Sequence, residues 1–118
     1  MIAVRMARGA AILSILILLT LMIGPFGGLE SSTGISDKIG HVAAFAVIAV
    51  SLAVLFPRWS LWLIAAASLA TGVSIEIIQG FVGRDADALD VAADIVGIAM
   101  ACLALGLAPS TPFRTKAS

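Results

Sequence analysis

SIEIIQGFVGRDADALDVAADIVG, residues 74–97, is the stretch on which the fold turns. It holds five of the chain's seven carboxylates, Glu76, Asp85, Asp87, Asp90 and Asp94, between runs made almost entirely of Ala, Leu, Ile, Val and Gly. Glu76 and Asp94 stand inside those apolar runs rather than at their edges. The rest of the chain decides which solvent the runs face. Of its 118 residues 61% are hydrophobic and 12% charged, and the mean hydropathy is +1.15. A water-soluble domain of this size has too little interior to hide that much apolar surface. Lipid is the alternative solvent, and crossing it takes about 20 consecutive apolar residues per helix.

Four runs of that kind can be read outward from the quoted stretch. The third run, about 61–82, ends in its first half, and the fourth, about 90–107, begins in its second half, with 83–89 as the connection. Upstream, a run over about 9–24 is closed by Pro25, Gly27 and Gly28, and a second over about 37–56 is closed by Pro57, with Ser36 as its expected N-cap. A signal peptide is the competing reading of the first run, because Arg5 and Arg8 precede an apolar core. The run is longer than the usual core of about 7–15 residues and GPFGG has no A-x-A cleavage pattern, so it is expected to remain as a helix. The predicted fold is an all-α integral membrane bundle of four transmembrane helices, up-and-down, forming one domain over residues 1–118.

Basic residues in short loops set orientation. Arg5, Arg8, Arg58, Arg114 and Lys116 fall on the side of the termini, against Lys38 and Arg84 on the other. Both termini are therefore expected in the cytoplasm, with the carboxylates gathered toward the outer face. Overall charge is zero, and no basic patch of the kind nucleic acid requires is present. The single cysteine, Cys102, lies inside the fourth run and reads as a small packing residue.

At about 100° per residue, the polar side chains fall into stripes. Glu76 and Gln79 lie about 60° apart on one helix, with Gly72 and Gly83 near the same line. Asp87, Asp90 and Asp94 share a face that Gly97 and Ala101 continue inward. Asp37 and His41 are one turn apart at the outer end of the second helix. Charge facing lipid is costly, about 2.5–3.5 kcal/mol at a helix centre, and small residues let helices approach closely. Helices two, three and four are thus expected to converge on a polar, outward-facing cavity, with Lys38, His41 and Arg84 as its positive or switchable partners. The first helix, with only Ser14 and Thr20 as polar side chains, is expected to pack peripherally.

These motifs resemble the VanZ-like family. D-K-x-x-H at Asp37, Lys38 and His41 is followed by E-x-x-Q at Glu76 and Gln79, G-R at Gly83 and Arg84, and D-x-x-x-[ND]-x-x-G at Asp90, Asp94 and Gly97. The resemblance covers about residues 36–106. Two positions depart from it: the family usually has Asn where this chain has Asp94, and often Gly near Ala101. The resemblance implies a small multi-pass protein of the bacterial cytoplasmic (inner) membrane, in a family named for an association with low-level teicoplanin resistance.

Three functional readings follow. In the leading one, Asp37, Lys38, His41, Glu76, Gln79, Arg84, Asp90 and Asp94 bind a membrane lipid or lipid-linked envelope precursor, a headgroup entering the cavity while apolar faces hold the tails. In the second, Glu76, Asp90, Asp94 or His41 serves as general acid or base in an intramembrane enzyme, since clustered carboxylates drive their proton affinities apart; no nucleophile motif or phosphate loop accompanies them. In the third, the same groups relay protons through a transporter, a path that the inner halves of helices three and four, lacking ionisable residues, do not continue. No cofactor and no metal are expected, because a zinc site usually takes three or four ligands and the sequence alone assembles no such set around His41.

Overall fold

The computed structural model describes residues 1–23, 37–83 and 87–107, the side chain of Asp37 excepted. Ser36 and Arg84 lie outside the described residues. Those described form four helices and no strand: α1 (Ile2–Ile23), α2 (Asp37–Leu55), α3 (Leu61–Phe81) and α4 (Ala88–Leu107). All four are long and apolar enough to cross a membrane; at 1.5 Å per residue they measure about 28–33 Å, the thickness of a bilayer's hydrocarbon core.

The sequence accounts for these limits. The Ser60 side chain accepts a hydrogen bond from Leu63 N (3.2 Å) and so caps the start of α3. At its end Val82 N donates to Ile78 O (3.0 Å), and Gly83 follows at φ +79°, the left-handed conformation that glycine supplies after a helix. Asp87 caps α4, its Oδ1 accepting from Leu89 N at 2.9 Å. The one large departure from expectation is α1, which begins at Ile2 rather than near residue 9. Hydropathy locates the lipid-crossing core of a helix, whereas Met, Arg and Ala are good helix formers in any solvent and carry the helix through Arg5 and Arg8. Three hydroxyls inside the helices donate back to carbonyls one turn earlier, Thr20 to Leu16, Thr71 to Ala67 and Ser74 to Ala70, so these three bring no unpaired donor into lipid.

Small residues fix the packing. α2 and α4 lie side by side with their N-terminal ends together: Gly97 sits against the Val42 carbonyl and Ala46 N, and Ala49 and Ala53 share a cluster with Ala101 and with Ile64 of α3. A Cβ at Gly97 would overlap the Val42 carbonyl, so this crossing exists only because the residue has none. α3 runs the other way, with Ile64 near the C-terminal halves of α2 and α4 and Gly72 against Phe45 and Asp94 nearer their start. Leu18, Leu19, Met22 and Ile23 of α1 pack onto Phe45, Ile48 and Ile75. Much of the rest of α1 is exposed, Leu13, Leu16 and Ile17 included, while Ala11 is buried, the state expected of a helix that turns one side to acyl chains. Cys102 packs in this framework, its thiol 3.9 Å from the Leu61 carbonyl.

Candidate functional site

Three helix segments bring their charged residues to one depth. Lys38, one residue into α2, places its Nζ between Asp87 Oδ2 (2.9 Å) and Asp90 Oδ1. One turn further, His41 presents Nδ1 to Asp94 Oδ1 at 2.7 Å and Nε2 to Asp90 Oδ2 at 3.6 Å. The imidazole also lies nearly parallel to Phe45, one turn along α2, with centroids 6.4 Å apart. His41, Asp90 and Asp94 are all buried, Asp94 to 1% exposure. The alignment of α2 with α4 dictates this ladder: residues 38 and 41 advance along one helix as 90 and 94 do along the other.

Glu76 closes the third side. Its Oε2 accepts from Asp87 N at 2.9 Å, tying α3 to the N-terminus of α4, where exposed N–H groups and the helix dipole favour a carboxylate. Its Oε1 is buried and, among the described residues, has no hydrogen-bond donor, and the same holds for Oδ2 of Asp94. Asp94 Oδ2 instead comes within 2.7 Å of where a Cβ at Gly72 would stand. Gly72 therefore makes room for that carboxylate, much as Gly97 makes room for α2.

Asp87, placed by its spacing on one face with Asp90 and Asp94, does more. It caps α4, donates its N–H to Glu76 and pairs with Lys38. The Lys38 ammonium, helped by the Leu89 N–H, holds its carboxyl below the ordinary value near 3.8. The pairing is thus fully present above that value and is lost as pH falls through the lowered one. The signal was legible: an Asp just before a helical run is a cap.

Gln79 is not part of the charged group. Its Nε2 donates to the carbonyl of Met22 in α1 at 2.8 Å, satisfying one of that helix's terminal acceptors. The expected single stripe on α3 is therefore split, because about 60° of angular separation is enough for Glu76 to face α4 while Gln79 faces α1. The first helix is consequently bound to the site-bearing bundle at its C-terminal end rather than merely lying beside it. Gln79→Leu is expected to lower stability in mild detergent by about 1 kcal/mol, the range of interhelical hydrogen bonds in membranes, while leaving intact any function of the charged cluster; a circular-dichroism melt and the assays below check both halves. Arg84 lies outside the described residues, as does the side chain of Asp37, whose backbone begins α2.

Away from the charges, a groove of about 700 Å³ runs between α3 and α4. Its walls are apolar, among them Leu61, Trp62, Ala65, Leu69, Ile98 and Leu103. Ile95 and Ile98 of α4 belong to the same lining.

Four helices long and apolar enough to span a membrane, three of them joined by an ion-paired cluster, define a multi-pass membrane protein. The chain belongs to the VanZ/LLP1 family, whose family model matches residues 5–108. No curated protein and no solved structure matches it.

Proposed function

We propose that the protein binds or remodels a cell-envelope lipid or lipid-linked glycan in the bacterial cytoplasmic membrane. The headgroup is received at Lys38, His41, Glu76, Asp90 and Asp94, with Asp37 and Arg84 proposed from sequence as further contacts, while an acyl or isoprenoid chain lies in the apolar groove between α3 and α4. In this reading the helices cross up-and-down with both termini in the cytoplasm, so the cluster faces outward. The observation that carries the reading is the buried cluster itself. Ionisable groups inside membrane spans are costly and mark ligand or ion paths, and α3 and α4, which carry Glu76, Asp90 and Asp94, also wall an apolar groove. Membership of the VanZ/LLP1 family makes glycopeptide susceptibility, teicoplanin first, the phenotype to measure.

Two conservative variants test it. Glu76→Gln keeps an acceptor for Asp87 N–H and Asp90→Asn keeps an acceptor for Lys38, so both proteins should insert at wild-type levels while losing the envelope phenotype. Mass spectrometry of protein purified in mild detergent should find a polar-headed envelope lipid retained by the wild type and lost from Glu76→Ala. Wild-type phenotypes from both conservative variants, or the same lipid complement with Glu76→Ala, would sink the reading. An intramembrane carboxylate-dependent enzyme is the second reading, favoured by the buried, unpartnered Oε1 of Glu76 beside His41; conversion of the retained lipid by wild type but not by Glu76→Gln would raise it above the first.

A further inference from the structure

We infer that His41, Glu76 and Asp90 form a binding site for a first-row divalent cation, Zn²⁺ foremost, at the heart of the polar cluster. One ligand atom from each, supplied by α2, α3 and α4 in turn, lies within 4.8 Å of the others. A triangle of that side has a point about 2.8 Å from each corner, so inward shifts of about 0.6–0.8 Å reach the 2.0–2.2 Å of zinc bound to nitrogen and carboxylate oxygen. Three protein ligands with an open fourth position is the pattern of zinc sites that also engage a further ligand.

Three independent features of the surroundings point the same way. Asp94 Oδ1 sits 2.7 Å from His41 Nδ1; an imidazole that donates from Nδ1 to this carboxylate keeps the Nε2 lone pair on the Asp90 side, 3.6 Å from Oδ2. A carboxylate holding the far nitrogen of a histidine is the usual support of a metal-bound imidazole. Lys38 engages Oδ1 of Asp90 and Oδ2 of Asp87, and Oδ2 of Asp90 remains the oxygen on the His41 side. Glu76 Oε1 and Asp94 Oδ2 are both buried without a hydrogen-bond donor, and Asp94 is 1% exposed. Among the described side chains the cluster sets four carboxylates, those of Glu76, Asp87, Asp90 and Asp94, against the one ammonium of Lys38. A divalent cation between His41, Glu76 and Asp90 offsets part of that negative charge. An imidazole with two carboxylates selects such an ion over Mg²⁺, which keeps its waters, and over Ca²⁺, which takes six or more oxygens. The centre does not depend on which lipid, if any, the protein binds.

The test needs only the full chain in mild detergent and zinc sulfate. After equilibration and gel filtration, elemental mass spectrometry should find about one zinc per chain. His41 is the chain's single histidine, so ¹⁵N-histidine NMR reports on the site alone: zinc should shift the Nε2 resonance and leave Nδ1 protonated. Glu76→Gln and Asp90→Asn, checked for helicity and monodispersity, should each bind zinc at least tenfold more weakly, and Gly80→Ala, at an open position outside the cluster, should bind within about threefold of wild type. Absence of retained zinc, retention without change at the His41 nitrogens, or unchanged affinity in Glu76→Gln would each overturn the inference, the last two by assigning the metal to another part of the chain.

Discussion

Gly97→Ala should separate α2 from α4 and cost about 1–3 kcal/mol of bundle stability, the range for overpacking a filled interface. The added methyl would meet the Val42 carbonyl, with Ala46 N close behind. Both are backbone atoms of a continuous helix, so no rotamer change relieves the overlap and the helices themselves must move. Movement here has a second consequence, because Lys38 and His41 reach Asp90 and Asp94 across the same crossing, one to two turns away. Loss of stability should therefore be accompanied by loosening of the His41 to Asp94 hydrogen bond. Gly80→Ala and Gly9→Ala are the controls: both positions open on empty space, and both variants should stay within about 0.5 kcal/mol of wild type or gain slightly from the better helix former. Equal effects at all three glycines, measured by denaturant titration in detergent, would show that helix propensity and not the α2–α4 crossing governs.

Residues 74–97 foretold this crossing only in part. Hydropathy located the four spans, within about two residues except where Arg5 and Arg8 hid the start of α1, because charge lowers hydropathy without disfavouring the helix. Angular spacing put Asp90, Asp94, Gly97 and Ala101 on one face of α4, and all four are buried. Periodicity gives the direction of a side chain relative to its own helix but not the identity of what stands opposite. Gln79 could therefore be assigned to the stripe of Glu76 and yet find its partner in Met22 of α1. The same gap explains Asp87, whose pairing with Lys38 depends on the relative heights of α2 and α4. Those heights are set by Gly97 and the alanines, which carry no charge to advertise them. Nor could the sequence reveal that His41, Glu76 and Asp90 come within a single ion's reach, since 49 positions separate the first from the last.

His41→Ala should be the most destabilising single change in the charged cluster, about 3–5 kcal/mol, the cost of removing one partner from a buried charged pair. The imidazole is the group between Asp90 and Asp94, at 3.6 Å from one and 2.7 Å from the other; without it two buried carboxylates face a void lined by Phe45. Asp94→Ala should cost less, since it removes a buried acid along with its bond. The double variant His41→Ala/Asp94→Ala should then be more stable than the sum of the two losses predicts, by about 1–3 kcal/mol, as expected of residues in direct contact. Asp94→Asn separates charge from geometry. Its amide oxygen can still accept from His41 Nδ1, and its NH₂ replaces an oxygen that has no donor in any case. That variant should unfold within about 1 kcal/mol of wild type. If Asp94→Asn is neutral for folding yet changes zinc affinity or lipid retention, the carboxylate at this position tunes the site and does not hold it together. Strict additivity of the His41 and Asp94 losses, or a collapse of Asp94→Asn comparable to that of His41→Ala, would refute this account of the pair.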